Sequence, residues 1–82
     1  MANNYILIGR LSKINDDSIV IDNYTDKIMI KVSSSLLEKI QNYCKIGEII
    51  GIRGKITTID NKLELICEKC TFLNEPEPSE EC

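Results

Sequence analysis

The chain has 82 residues, which is enough for one small domain. Hydrophobic residues make up 43% of the chain, too many for a disordered protein, yet no stretch approaches the roughly 20 apolar residues of a membrane span. The N-terminus has no basic cluster followed by a long apolar run, so we expect no signal peptide. We therefore expect a cytoplasmic protein in which the four cysteines are reduced.

The net charge of −3 is unevenly distributed. Residues 1–73 contain all ten basic side chains and nine acidic ones, whereas residues 74–82 contain four glutamates and two prolines. This division predicts a folded domain over 1–73 and an acidic, disordered tail over 74–82. The tail has two interpretations: it aids solubility, or it docks a partner or competes with nucleic acid for a basic surface.

The first half of the chain alternates as β-strands do. Residues 4–14 predict a long first strand in which Gly9 indicates a bulge or a bend. Residues 18–23 and 26–32 predict a hairpin around Tyr24 and Thr25, with one face made of isoleucines. The other face places Ser18, Val20 and Asp22 opposite Lys31, Met29 and Lys27.

A single helix is predicted after this hairpin. Ser35 with Glu38 three residues later forms a capping-box pattern, and apolar residues then recur at helical spacing as far as Tyr43. Gly47 is a candidate helix stop.

The last part of the ordered region predicts a second hairpin. Residues 49–59 and 62–73 read as strands, and Asp60-Asn61 reads as a two-residue turn. This register pairs Thr58 with Leu63, Ile56 with Leu65 and Gly54 with Cys67 on a core face. It places Arg53 opposite Glu68 on the outer face.

The order β-β-β-α-β-β predicts the fold class. It is typical of an all-β, five-stranded OB-fold barrel with one short helix between strands 3 and 4. Gly9, Gly51 and Gly54 suit a small and strongly curved barrel.

Three segments carry a resemblance to a known family. Residues 4–11 read Asn-Tyr-Ile-Leu-Ile-Gly-Arg-Leu, residues 43–56 contain a Lys-x-Gly followed by Gly-x-x-Gly and a basic residue, and residues 69–73 end in Phe-Leu. In these segments the chain resembles the bacterial single-stranded DNA-binding protein family. The resemblance implies an OB fold, sequence-independent binding of single-stranded DNA in replication, recombination or repair, and a homo-oligomer (dimer or tetramer) built partly through the first strand.

The chain also departs from that family. It has no tryptophan to stack on bases, the connection between the last two strands is only Asp60-Asn61, and the acidic tail lacks an apolar tip.

Binding of single strands requires positive charge for phosphates and flat groups for bases. The cations that alternation places outside the core are Arg10, Lys27, Lys31, Arg53 and Lys55. Met29 lies between two of these lysines, and Tyr24 at the hairpin tip is the best stacking candidate. These seven residues form the predicted nucleic-acid site, although ordinary solvated positions would show the same pattern. Tyr5 and Tyr43 are expected to be core or helix-anchoring residues.

Chemistry beyond binding has little support in the sequence. Cys67 and Cys70 have C-x-x-C spacing, but residues i and i+3 of a regular strand point to opposite faces, so we expect neither a metal site nor a redox site. The chain has no histidine, no glycine-rich phosphate loop and no evident carboxylate pair, which predicts a non-catalytic protein without a cofactor. Two other functions remain open: an OB module that binds a protein partner, and an RNA-binding OB domain.

Overall fold

The computed structural model describes residues 3–73, so the predicted tail over 74–82 lies outside the described residues. Five strands and one helix are present, in the predicted order. The elements are β1 (Asn3–Ile14), β2 (Ser18–Asn23), β3 (Asp26–Lys31), α1 (Ser34–Tyr43), β4 (Ile49–Ile59) and β5 (Lys62–Phe72). The helix in the described residues, α1, is not long and apolar enough to cross a membrane.

The strands close into a barrel in the order β1-β2-β3-β5-β4, with β4 returning to β1. All neighbouring strands are antiparallel except β3 and β5, which join in parallel through only Ile30–Leu65 and Lys31–Ile66. Closure removes the free strand edges that would otherwise invite aggregation. The predicted five-stranded OB barrel with its helix between strands 3 and 4 is confirmed.

The β2–β3 hairpin has the predicted register. Ile19 lies opposite Ile30 and Ile21 opposite Ile28. Three of these four isoleucines are fully buried, since alternation points them into the barrel, and Ile28 packs against the edge of the core. The isoleucine face therefore supplies one wall of the core, and the lysine-bearing face is left outside.

The helix closes one end of the barrel with Leu37 and Ile40, both buried. Its N-cap is Ser33, two residues before the predicted start: the Ser33 side chain accepts a hydrogen bond from the Leu36 N–H at 3.4 Å. Glu38 is consequently too far along the helix for a capping box.

Gly47 does not stop the helix, which ends at Tyr43. It lies instead in the following turn with a left-handed φ of 96°, and its N–H donates to the Leu11 carbonyl at 2.7 Å. This hydrogen bond ties the turn after the helix to β1.

The bulge in β1 is not at Gly9. It falls between Leu11 and Lys13, where the pairing with β2 shifts by one residue. Gly9 has a different role, because a Cβ atom there would lie 2.5 Å from the Asp22 carbonyl oxygen on β2. The glycine allows β1 and β2 to approach each other closely where the barrel bends.

The β4–β5 hairpin turns at Asp60 and Asn61, whose φ values of 53° and 65° are the signature of a type I′ turn. The three predicted pairs from Thr58–Leu63 to Gly54–Cys67 are confirmed. The predicted core face is wrong at the tip, where Thr58 and Leu63 are exposed because the hairpin extends past the end of the barrel.

A β-bulge shifts the register of this hairpin in the half that is farther from the turn. Gly54 pairs with Cys67 but Arg53 pairs with Lys69, so Glu68 is an extra residue on β5. The predicted pairing of Arg53 with Glu68 is therefore wrong. Gly54 makes the bulge possible, since a Cβ atom at this position would overlap the Ile66 carbonyl oxygen. The bulge also reverses the alternation beyond Glu68, and Cys67 and Cys70 are both buried as a result.

Candidate nucleic-acid interface

The three predicted lysines each have an acidic partner. Lys27 contacts Asp22 at 2.9 Å, as its cross-strand position suggests, and Lys31 contacts Asp17 at 3.7 Å. The third, Lys55, contacts the bulged Glu68 at 3.7 Å. These pairs are exposed, so each contributes little to stability and can exchange partners with a phosphate. Their net positive charge is nevertheless reduced.

The two predicted arginines differ from the lysines, because neither forms an ion pair within residues 3–73. The Arg10 guanidinium donates from Nη1 to the Gly47 carbonyl oxygen at 3.0 Å, which orients the side chain without neutralising it. Arg53 lies beside Lys69 across the β4–β5 ladder. Arg10, Arg53 and Lys69 thus form no ion pair within residues 3–73, although Asp22 lies opposite Arg10 on β2.

Arg53 and Lys69 border an apolar cleft of about 450 Å³ on the outer surface of β1, β4 and β5. Its floor includes Ile6 and Ile8 of β1, whose side chains are 75% and 65% exposed. Gly51, which has no side chain, also lines the cleft. Arg53 and Lys69 lie at the cleft wall, so an apolar surface and two positive charges adjoin.

A second cleft, of about 470 Å³, continues this surface towards the β2–β3 turn. It shares Ile8 and Ile49 with the first cleft and adds Arg10, Asp22 and Tyr24. We call the combined feature the outer groove. It comprises Ile6, Ile8, Gly9, Arg10, Asp22, Asn23, Tyr24, Ile49, Gly51, Ile52, Arg53, Lys69, Thr71 and Leu73.

Tyr24 stands at one end of the outer groove and is fully exposed. It occupies the turn between β2 and β3 with a left-handed φ of 59°, an uncommon conformation for a bulky residue. The turn thus presents an aromatic ring that is free of core contacts, and a base can stack on such a ring.

The seven predicted site residues divide into groups. Arg10, Tyr24 and Arg53 line the outer groove, and Lys27 reaches its margin through Asp22. Met29 is 60% exposed on β3 opposite Val20. Lys31 and Lys55 flank Ile66 of β5 from its two neighbouring strands, outside the groove.

Sequence reasoning missed much of the groove floor and one of its cations. The missed residues are Ile6, Ile8, Ile49, Lys69 and Leu73. The signal that was present is that β1 carries apolar residues on both faces, which a strand with one solvated face does not need. Lys69 was hidden by the bulge, which moves it opposite Arg53.

Tyr5 faces inward as expected and packs against the core. Its hydroxyl donates to the Ile66 carbonyl oxygen at 3.3 Å. Burial raises the pKa of the Tyr5 phenol above its usual value, and nearby Cys67 and Cys70 raise it further. Tyr43 rests against Phe72, with ring centroids 5.7 Å apart, and so anchors the helix to β5.

The cysteines depart from the expected arrangement. The bulge at Glu68 turns Cys67 and Cys70 to the same side, with sulfur atoms 3.4 Å apart. Within the described residues, no group of three or more histidine, cysteine, aspartate or glutamate side chains is placed to hold a metal ion. The predicted separation of the two sulfurs by strand alternation is wrong, because the bulge interrupts that alternation.

Solved structures with a similar fold include single-stranded DNA-binding proteins. The mitochondrial single-stranded DNA-binding protein Rim1 of S. cerevisiae superposes with a TM-score of 0.76 and 13% identity, over 94% of this chain and 99% of that chain. A chain of the S. pombe Stn1-Ten1 complex gives 0.72 and 16%, over 89% of this chain and 60% of that one. This chain has an OB fold.

An E. coli protein described as hypothetical, YgiW, also superposes, with a TM-score of 0.64 and 17% identity over 88% of this chain and 76% of that chain. No protein-family model matches the chain, and no curated protein matches it. At identities of 13% to 17% these likenesses establish the barrel and its topology. A shared fold does not determine the function.

Proposed function

We propose that this protein binds single-stranded DNA without sequence specificity, as a non-catalytic OB domain that acts in replication, recombination or repair. The observation that carries the proposal is the outer groove, which joins an exposed apolar floor to three cations without acidic partners in the described chain, Arg10, Arg53 and Lys69. Bases are flat and apolar on their faces and phosphates are anionic, so a single strand matches both parts of this surface.

The shape of the outer groove suggests a path for the DNA strand across the barrel. Tyr24 offers a stacking surface at one end, and the Arg53–Lys69 pair offers phosphate contacts on the β4–β5 side. Arg10 lies between these ends, held by the Gly47 carbonyl. We therefore propose that the DNA strand crosses β5, β4 and β1 and ends at the β2–β3 turn.

The test is fluorescence anisotropy with a labelled oligo-dT titrated at low and moderate salt, alongside an oligo-U of equal length. Saturable binding that weakens with salt is expected, and tighter binding of oligo-dT supports the DNA assignment. No binding at tens of micromolar protein in low salt contradicts the proposal. Equal or tighter binding of oligo-U favours the RNA-binding alternative.

A matched pair of charge reversals tests the location. Arg53→Glu with Lys69→Glu should abolish most oligo-dT binding, because both cations of the β4–β5 wall become anions. Lys13→Glu with Lys39→Glu changes the net charge equally at exposed positions that do not line the groove. Equal losses from both doubles would show that overall charge, and not the outer groove, governs binding.

The second candidate function is a protein-interaction module, including assembly with further copies of this chain. The observation that favours it is the exposure of Ile6 and Ile8 on adjacent outward positions of β1. Light scattering over a range of concentrations measures self-association directly. An oligomer that is lost in the Ile6→Ser, Ile8→Ser variant, together with a lack of oligo-dT binding, would assign this surface to protein contacts.

A further inference from the structure

Cys67 and Cys70 form a pair of thiols inside the barrel wall that the proposed DNA binding does not use. Their sulfur atoms are 3.4 Å apart and both side chains are buried. A disulfide requires a sulfur separation of about 2 Å, so the two atoms need to approach by little more than 1 Å. The extra residue Glu68 lies between them in the bulge, where the regular ladder is interrupted and the backbone can adjust.

Both thiols are buried, but they differ in their position relative to a neighbouring cleft. Cys67 lines a cleft of about 350 Å³ between the start of α1, β3 and β5, whose lining also includes Asp17, Lys31 and Glu64. Cys70 does not line this cleft. A small oxidant that enters the cleft therefore reaches the side on which Cys67 lies, and the Cys70 sulfur is 3.4 Å from the Cys67 sulfur.

The two thiols also differ in acidity. A hydrogen bond from the Cys70 thiol lowers the pKa of Cys67, against the opposing effect of burial. The same hydrogen bond, together with burial, raises the pKa of Cys70. The sulfur beside the cleft is thus the one with more thiolate character, which is the reactive form.

We propose that Cys67 and Cys70 are a peroxide-sensitive dithiol that closes to an intramolecular disulfide. The Cys67 thiolate attacks one oxygen of hydrogen peroxide, the O–O bond breaks, and Cys67 becomes a sulfenic acid as hydroxide leaves. The Cys70 sulfur then attacks the Cys67 sulfur, which forms the S–S bond and expels the sulfenic oxygen as hydroxide. The protons of the two thiols convert both hydroxides to water, so two thiols and one peroxide yield one disulfide and two waters.

The test uses the full chain with Cys82→Ala, so that Cys44, Cys67 and Cys70 are its cysteines. After peroxide treatment, alkylation under denaturing conditions should label only Cys44, and the intact mass should fall by two hydrogen atoms. Dithiothreitol should restore both values. Cys44 is an internal control, since it is buried and burial raises its pKa.

Two variants establish the order of events. Cys70→Ser should leave Cys67 as a sulfenic acid that dimedone traps, whereas Cys67→Ser should leave Cys70 reduced, with circular dichroism confirming that both variants fold. The proposal is overturned if Cys67 and Cys70 of the parent chain remain alkylatable under conditions that fully oxidise free dithiothreitol, or if their disulfides join separate chains. These readouts do not depend on DNA binding.

Discussion

Gly54 and Gly51 lie on the same strand, but the space around them differs. A Cβ atom at Gly54 would overlap the Ile66 carbonyl oxygen and lie 2.8 Å from the carbonyl carbon, so backbone would have to move. At Gly51 the nearest atom is the Thr71 Cβ at 3.6 Å, an ordinary contact. We expect Gly54→Ala to lower the free energy of unfolding by about 3 kcal/mol. Gly51→Ala should change it by about 0.5 kcal/mol or less.

Urea unfolding followed by circular dichroism measures both glycine variants. The same comparison tests the bulge, because only a chain in which β5 crosses Gly54 at close range makes the two sites so different. Similar unfolding midpoints for the two variants would contradict the close approach.

Tyr24 is the residue at which stability and binding separate most cleanly. Its side chain is fully exposed, so removing the ring should leave the unfolding free energy nearly unchanged. A base stacked on the ring contributes about 1–3 kcal/mol. Tyr24→Ala is therefore expected to weaken oligo-dT binding by about 5- to 150-fold in anisotropy titrations. Tyr24→Phe retains the stacking face and should bind like the parent; a loss in this variant would point to the hydroxyl instead.

At the scale of single elements, the helix start is decided by one of three consecutive serines. Ser33 has extended backbone angles and accepts from the Leu36 N–H, whereas Ser34 and Ser35 are already helical. Loss of an N-cap side chain costs about 1 kcal/mol. Ser33→Ala should lower the unfolding free energy by this amount, and Ser35→Ala should have little effect. The reverse ranking in thermal or urea unfolding would restore Ser35 as the cap.

The local sequence pattern predicts some features of these elements and not others. The register of the β2–β3 hairpin was predictable, because a two-residue turn and alternating isoleucines leave one pairing that turns them all towards the core. The helix was predictable from its apolar spacing, but three serines in a row make its first residue ambiguous. The bulge at Glu68 was not predictable. It depends on how Gly54 meets the Ile66 backbone, which sequence alternation does not encode.

The candidate site was predictable in part for a related reason. Alternation within each strand places Arg10 of β1 and Arg53 of β4 outside the core, and the position of Tyr24 at the hairpin tip indicates that it is exposed. The outer groove arises only when β1 and β4 pair, which brings Ile6 opposite Arg53 across most of the chain length. The acidic partners of Lys31 and Lys55 likewise depend on a loop and on a bulge. Long-range pairing therefore determines which of the predicted cations remain uncompensated.

On the scale of the whole molecule, the barrel carries two sets of cations that differ in their position and in their acidic partners. Arg53 and Lys69 adjoin the apolar floor of the outer groove without acidic partners in the described chain. Lys31 and Lys55 carry acidic partners at 3.7 Å and flank Ile66 on a separate part of the surface. Neutralisation of either pair removes two positive charges, so a difference in DNA binding reports the position and ion pairing of the cations and not the net charge.

The salt dependence of DNA binding measures how many phosphate contacts each set of cations makes. For single strands the slope of log K against log salt is about −0.7 per phosphate neutralised. We expect Arg53→Ala with Lys69→Ala to make this slope shallower by about 1.4, because two contacts are lost. Lys31→Ala with Lys55→Ala should change it by much less. Oligo-dT titrations at four or more salt concentrations give both slopes; a larger change for the lysine double would move the DNA path from the outer groove to the β3–β5 side of the barrel.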